Sequence, residues 1–480
     1  MCLAVGVRIH YAFLNSARPT SKSVAKGSQR SQSGRGSTMF LLQVSLSNVR
    51  SIKSLDLDFR SKGAGARRWT LLLGENGCGK SSALRAIALL LAGSEALPDL
   101  LGEPDAWIRN GANKCVIKGT LVTAKGETRE IALEINRGDG LRQIFTRNHS
   151  SLEALDAALS KAERNYFVLG YGVSRRPTAA KSRSTFPDER SRVPRAQGVA
   201  TMFSSDAVLI SLEQWAMDLE YRKGQSSMDA VRRALNQLLP DMQFSHIDRE
   251  LRQIIFKTVD GDVPLSQLSD GYQNMAAWCG DLLYRITEAF PDRKDPLSTR
   301  GVLLIDEIDL HLHPTWRRQL VEFLSITLPK FQFIATTHSA LTAQQSGEGE
   351  LYVIRREGEN HLPTLMPFVG EPRNMMLHQL LMSPMFGLTT MDSVSVENAR
   401  NVVRNLSIKK TALNTDELQQ LQNMQKVLRD APNWDAIPEY AKEQIELLKD
   451  INASMTKDGK RRTISAKKLT AVVKELGVVK

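Results

Sequence analysis

A chain of 480 residues is longer than one compact core usually holds, so a large domain with appended or inserted parts is expected. Its 42% hydrophobic and 24% charged residues are ordinary for a globular protein. No window of about 18 apolar residues marks a membrane helix, and the four cysteines, Cys2, Cys78, Cys115 and Cys279, form no Cys-x-x-Cys pair. A disulfide framework and a zinc site are thereby disfavoured, and a reducing cytoplasm and no membrane partner are expected.

The net charge of +12 is unevenly spread. Residues 1–38 carry six Lys/Arg and no Asp/Glu, residues 173–198 seven against two, and residues 457–480 eight against two. Two readings stand: a solubilising surface, or contact with a polyanion such as nucleic acid, whose counterions clustered cations release.

In chain order, residues 1–38 show no helical or strand period and are expected to be a disordered basic extension, with Met39 as a candidate natural start. Leu41–Val49 and Leu55–Phe59 alternate like strands, and Trp69–Leu73 is a buried-type strand ending at Gly74. Ser81–Ala92 reads as a helix, and Cys115–Thr123 with Glu130–Asn136 as a hairpin. A strand is expected over Tyr166–Leu169, then a proline-rich loop, then helix across Ala207–Leu239. Strands at Gln243–Ile247 and Gln253–Val259 precede a helix over Ser269–Phe290. Val302–Ile305 and Phe331–Thr336 are apolar strands flanking a helix over Thr315–Leu328. Strands follow at Leu351–Arg355 and Leu365–Phe368, and beyond Arg373 only helices are expected, including 395–406, 414–430 and 436–452.

The chemistry is concentrated at strand ends. Gly74-Glu75-Asn76-Gly77-Cys78-Gly79-Lys80-Ser81 fits G-x-x-x-x-G-K-[ST], and it leaves an apolar strand and opens a helix, the setting in which the pattern has physical meaning. Its glycines let backbone N–H groups of Asn76, Gly77, Cys78 and Gly79 curl around phosphate, and the helix start at Lys80, Ser81 and Ser82 adds partial positive charge. Lys80 is expected to reach the terminal phosphates of ATP, and Ser81 to hold Mg2+. The run Val302–Ile305 delivers Asp306 and Glu307 to a strand's C-terminal edge, Asp306 as a Mg2+ ligand and Glu307 as the general base. His338 ends the next apolar strand and is placed to donate a hydrogen bond to the γ-phosphate.

Leu268-Ser269-Asp270-Gly271-Tyr272-Gln273 opens a helix. Alone it is a helix cap. In this company it resembles the ABC signature Leu-Ser-x-Gly-x-Gln, and Ser269, Asp270, Gly271 and Gln273 are then expected to contact a nucleotide held by a second copy.

The ordered set of phosphate loop, signature, Asp-Glu strand and histidine resembles ABC-type ATPases of the SMC and RecF group, and the OLD-like ATPases of bacterial defence systems. The latter match is carried by the signature, by Ile305-Asp306-Glu307-Ile308-Asp309-Leu310-His311-Leu312-His313-Pro314, and by Ala335-Thr336-Thr337-His338-Ser339. Val49-Arg50-Ser51-Ile52 and Tyr171-Gly172-x-x-Arg175 add to it. The resemblance covers about Phe40–Phe386. It implies that Arg50 and Ser51 lie beside the nucleotide, the alternative being a plain strand end, and that Asp309 lies at a dimer interface. His311 and His313 are read as structural, and Gln143 is the one candidate for a glutamine of the Q-loop.

After His338 no Asp-x-Asp pair of a Toprim nuclease occurs. The chain thus resembles the stand-alone PtuA-type ATPases of Septu systems and their retron-associated relatives, which work with a separate HNH nuclease and, in retrons, a reverse transcriptase and its DNA. Lys80 and Leu268 stand 188 residues apart, a wider spacing than in transporter ATPases. The expected fold is α/β, a P-loop NTPase of ABC type with an inserted helical arm and a helical C-terminal region. The expected parts are a basic extension (1–38), a lobe with the phosphate loop (39–172), an inserted basic loop and helical arm (173–260), a lobe with signature, acids and histidine (261–370), and a helical region for partner docking or simple packing (371–480). The function expected is a nucleotide-sandwich dimer or higher oligomer that regulates a partner nuclease. The alternative is a DNA repair ATPase of the RecF kind.

Overall fold

The computed structural model describes residues 40–61, 65–123, 126–159, 167–177, 193–223, 225–239, 242–291, 293, 295–310, 312–357, 361–408, 414–429 and 431. The expectations for residues 1–38, for His311, for the helix over 436–452 and for most of the basic stretches lie outside the described residues.

β1 (Phe40–Val49) and β2 (Ile52–Asp58) form a hairpin through Arg50 and Ser51, with Arg50 in the left-handed region at φ 51°. β3 (Trp69–Gly74) leads through the glycine loop into α1 (Lys80–Leu91). β4 (Lys114–Val122) and β5 (Thr128–Asn136) form the expected hairpin, and α2 (His149–Leu159) lies against β5. After β6 (Val168–Tyr171) come α3 (Leu212–Lys223) and α4 (Gln225–Leu238), then a meander of β7 (Gln243–Asp248), β8 (Gln253–Thr258) and β9 (Gly261–Pro264). The long α5 (Asp270–Ala289) precedes β10 (Arg300–Ile305), α6 (Leu320–Thr327) and β11 (Lys330–Thr337). β12 (Leu351–Glu357) and β13 (Leu362–Pro367) pair antiparallel, and α7 (Val394–Ile408) packs against α8 (Thr415–Arg429).

Among the described residues four sheets result: β2-β1-β4-β5, β9-β8-β7, a short pair of Arg176–Pro177 with Val208–Leu209, and a six-stranded β13-β12-β3-β11-β10-β6. In the last, β6, β10, β11, β3 and β12 are mutually parallel, which requires cover on both faces and explains why these strands read as unbroken apolar runs. The two-residue period divides each run between two cores. Leu72, Val302, Leu304 and Ile334 face one core with α1 and the β2-β1-β4-β5 sheet. Leu71, Leu73, Leu303, Ile305, Phe333 and Ala335 face the other, with α3, α4 and α5. The helices of the segment read as an inserted arm therefore share a core with the main sheet, through Leu212, Trp215, Leu235 and Leu238.

Two local readings are corrected. The single helix expected over Thr315–Leu328 is two, Pro314–Arg317 and α6, because Gln345 takes over the backbone at the break. Its amide donates to the Arg317 carbonyl and accepts from the Val321 N–H at 2.9 Å. Helix does not begin at Ala207 either, since Val208–Leu209 pairs with Arg176–Pro177 as a short parallel bridge. One buried polar residue joins two layers. Gln332, fully enclosed in β11, accepts from the Leu41 N–H and donates to the Leu41 carbonyl, each at 2.9 Å, so β1 is tied to the central sheet.

Candidate nucleotide site

Register alone gathers the motifs. Gly74 pairs with Ile354, Leu73 with Thr337, Ala335 with Ile305, and Ile305 with Tyr171. The C-terminal edge of the sheet therefore presents, in neighbouring strand ends, the glycine loop, His338, the two acids and the Gly172–Arg175 loop. In parallel α/β sheets that edge is where ligands sit.

The phosphate loop depends on its glycines. A Cβ at Gly74 would stand 2.3 Å from the Ile354 carbonyl oxygen, so β12 could not run alongside. Gly77 and Gly79 hold φ 74° and 102°, which favour glycine. No side chain caps α1 at Gly79, so its first N–H groups remain directed into the loop as an anion site. The Lys80 ammonium donates to the carbonyls of Gly74 and Glu75 at 2.9 and 2.8 Å, which holds it across the loop. Burial lowers the Lys80 pKa, and Cys78, Asp306 and Glu307 oppose that shift.

Asp306 is buried, 3% exposed, and its Oδ1 accepts from the Thr336 hydroxyl at 2.6 Å. The same Thr336 oxygen accepts from the Glu307 N–H at 2.7 Å. Glu307 adopts φ 47°, a left-handed backbone that costs a non-glycine residue roughly 1–2 kcal/mol. Its carboxylate lies 3.9 Å from His338 Nε2. Burial, then the Lys80 charge, lowers the His338 pKa, and Glu307, Asp309 and Asp306 pull the other way. The imidazole is therefore neutral at pH 7 and able to donate. Asp309 is also buried, with Oδ2 accepting from Thr337 at 2.8 Å and from Thr342 at 2.7 Å.

The Ser81 hydroxyl at the start of α1 and the Asp306 carboxylate offer the hard oxygen donors that Mg2+ prefers, with phosphate and water completing its shell. They fit the ion. Among the described residues no group of three His, Cys, Asp or Glu could hold a metal without such help.

The Ser269–Gly271 turn is the N-terminus of α5. Ser269 and Asp270 are exposed, and the Ser269 side chain does not cap its own helix. Gln273 is engaged within its own turn. Its amide donates to the carbonyls of Ser266 and Leu268 at 3.1 and 2.6 Å, which braces the turn from within. Arg50 lies over the Trp107 ring at 4.4 Å, and with Ser51, Arg109, Arg356 and His361 it lines an open cavity of about 420 Å³. Burial, then Arg85, lowers the Arg50 pKa. Ser51 Oγ is 3.5 Å from where a Gly79 Cβ would stand, so the early loop does abut the phosphate loop. His313 caps the short helix at Pro314, accepting from Thr315 N–H at 3.4 Å, which is a structural role. Gln143 is occupied at a helix start, accepting from the Gly140 N–H at 2.7 Å.

The structure adds residues that carried no sequence signal of their own. Arg356, from β12, donates to the Gly77 carbonyl at 2.6 Å. Thr336 and Thr337 orient Asp306 and Asp309. Arg175 donates from its Nη2 to the carbonyls of both Asp306 and Glu307, the latter at 2.7 Å. Arg175, Thr336 and Thr337 had been noticed, as parts of motif strings with no role attached.

A parallel sheet whose neighbouring strand ends carry a phosphate loop, two acids and a histidine has the arrangement of a P-loop nucleotide-binding fold. Two family models agree: one described as an AAA domain matches residues 43–180, and one described as "AAA domain, putative AbiEii toxin, Type IV TA system" matches residues 173–343. The chain is similar to the Septu protein PtuA of Bacillus mycoides, at 28% identity over 74% of this chain and 45% of that one. It is also similar to the Retron Ec83 probable ATPase of Escherichia coli, at 34% identity over 25% of this chain and 22% of that one. The match thus spans less than half the length of these curated relatives. Among solved structures, the SMC head domain from Thermotoga maritima aligns at 14% identity and a TM-score of 0.35, over 68% of this chain and 98% of that one. No described helix is long and apolar enough to cross a membrane.

Proposed function

We propose that this chain binds and hydrolyses ATP with Mg2+ in a dimer that sandwiches nucleotide, and that it is the cytoplasmic regulatory ATPase of an antiphage defence complex controlling a partner HNH nuclease. The observation that carries the catalytic part is the register that brings Lys80, Asp306, Glu307 and His338 to one sheet edge. The names of the relatives support the defence part. In a retron setting the further partners would be a reverse transcriptase and its DNA.

The chemistry follows from charge placement. The N–H groups of the glycine loop and α1, with the Lys80 ammonium, hold the β- and γ-phosphates and spread their negative charge. Ser81 and Asp306 would hold Mg2+, which when bound would supply further neutralisation of that charge. The Glu307 carboxylate takes a proton from the attacking water as the water oxygen bonds to the γ-phosphorus and the bond to the β–γ bridging oxygen breaks, so that ADP leaves. Neutral His338 donates toward the γ-phosphate oxygens, where charge changes most, and keeps its distance from Glu307 without neutralising it. The second copy's Ser269 hydroxyl and Gly271 N–H, at the positive end of α5, close the site from the other side.

The test is phosphate release by purified protein together with size measurement with and without ATP. Turnover that disappears in Glu307→Gln while ATP-dependent dimers accumulate is the expected outcome. Turnover by a monomer at all ATP concentrations would sink the sandwich. For the defence role, co-expression with a candidate HNH nuclease should give a complex whose DNA cleavage changes with Lys80→Ala. Metal-dependent cutting by this chain alone, untouched by Glu307→Gln, would exclude a purely regulatory role. ATPase activity stimulated by DNA ends at low salt would instead favour the repair reading.

A further inference from the structure

We propose that Arg175 is a positioning residue for the general base: its guanidinium clamps the turn that sets the direction of the Glu307 carboxylate. This inference rests on the ATPase reading above and deepens it.

The Glu307 turn is unfavourable by itself, since φ 47° places a non-glycine residue in the left-handed backbone region. Something must hold it there. Thr336 takes the Glu307 N–H at 2.7 Å, and the Thr336 carbonyl takes the Ile308 N–H at 3.0 Å, which fixes the donor side. The acceptor side falls to Arg175, whose Nη2 donates to the carbonyls of Asp306 and Glu307. Hydrogen bonds from a charged donor are stronger than those between neutral groups, and two of them oppose the backbone cost.

The clamp is itself anchored. Arg175 Nε donates to the Gly172 carbonyl at 3.0 Å, at the end of β6. Gly172 cannot shift, because its N–H donates to Thr201 Oγ1 at 3.1 Å and a Cβ there would fall 2.0 Å from the Thr201 carbonyl oxygen. The Asp306 N–H donates to the Tyr171 carbonyl at 2.8 Å, so both ends of the guanidinium bridge are in register. Burial brings the Arg175 pKa down to about 10, against the pull of Asp306, Asp309 and Glu307, so it stays charged at pH 7. In the sheet this loop occupies the strand end beside the acids, and it also lines a cavity of about 380 Å³ with Gly271, Asn274 and Ile308. A small cation could therefore enter where the side chain has been removed.

A purely structural arginine and a positioning one differ in what they move. Full-length wild type, Arg175→Ala, Arg175→Lys, Glu307→Gln and the Arg175→Ala/Glu307→Gln double variant are compared by steady-state phosphate release and by fluorescent ATP-analogue affinity. A misdirected base should lower kcat on the order of 100-fold in Arg175→Ala, with nucleotide affinity nearly unchanged. Millimolar guanidinium should restore part of that rate in Arg175→Ala and do nothing for Glu307→Gln. The double variant should be no slower than Glu307→Gln, since the turn that Arg175 clamps serves the reaction by directing Glu307. If Arg175→Ala does not fold, Arg175→Lys carries the same test, because lysine keeps the charge and stem but cannot bridge two carbonyls. Unchanged kcat, a parallel loss of ATP affinity, or additive losses in the double variant would each overturn the proposal. Absence of turnover in wild type would instead remove the ATPase reading and this role with it.

Discussion

At the scale of single residues, charge placement makes separable demands. Lys80 spans the phosphate loop, so Lys80→Ala should lose ATP binding, read as a fall in analogue affinity of at least about 100-fold, roughly 2.7 kcal/mol. Glu307 has no such role in affinity, and Glu307→Gln should bind ATP normally while hydrolysing it on the order of 100 times more slowly or worse. His338 gives a pH signature. Its pKa is lowered on folding, so the unfolded chain takes up its proton first as pH falls. The stability it contributes is complete above the ordinary imidazole value near 6.5 and is lost as pH drops through the lowered folded value. Urea midpoints of wild type and His338→Gln, compared at pH 7.5 and pH 5, should therefore converge at the lower pH. A constant gap between the two proteins would count against the assigned shift. Lys80 was legible through the spacing of its glycine loop, and Glu307 and His338 because each follows an apolar run with a polar side chain. Arg175, Arg356, Thr336 and Thr337 were not assigned roles, because their partners are backbone carbonyls or a carboxylate on another strand, and pairing across strands leaves no local spacing to read.

Helices and strands were legible where one period dominates. The parallel strands were found within a residue or two because burial on both faces makes their runs wholly apolar. The break before α6 was missed because its cause, Gln345, is remote in sequence. The same holds for what positions α5. Asp281, in the middle of that helix, is fully buried; it accepts from Tyr171 of β6 at 2.9 Å and from Arg285 at 2.7 Å, and its other oxygen accepts from the Ile210 N–H at 3.1 Å. The triad joins the helix carrying Ser269 to the strand that leads to Arg175. Burial and the Asp281 charge together push the Tyr171 pKa well up, so the phenol stays a donor. Asp281→Asn keeps the shape but strips the negative charge from beside a buried guanidinium, and breaking such a pair costs about 3–5 kcal/mol. A chemical-denaturation midpoint should fall accordingly, whereas Asp262→Asn, on the exposed surface of β9, should leave it nearly unchanged. Equal stability of Asp281→Asn and wild type would show that Arg285 is neutralised by some other group.

For the whole molecule, the sequence spoke through the order of its motifs more than through their composition. The phosphate loop and the signature turn belong to separate lengths of chain, and Ser269 and Asp270 stand exposed at the head of α5 with the Ser269 hydroxyl not engaged in capping. An exposed helix N-terminus braced from inside by Gln273 is built to meet an anion that comes from outside the turn. If that anion is the nucleotide of a second copy, two different defects should complement. Lys80→Ala cannot hold ATP but keeps its signature turn; Ser269→Arg holds ATP but blocks its partner's site. Neither should hydrolyse ATP alone. Mixed in equal amounts they should form hybrid dimers with one sound composite site, and with random pairing in a two-fold dimer the mixture should reach about a quarter of the wild-type rate. The rate should rise with the square of total protein at low concentration, since assembly limits it. A mixture as inactive as its parts, with both variants folded and Ser269→Arg still binding ATP, would place the turn's function within its own chain and remove the sandwich from the proposal.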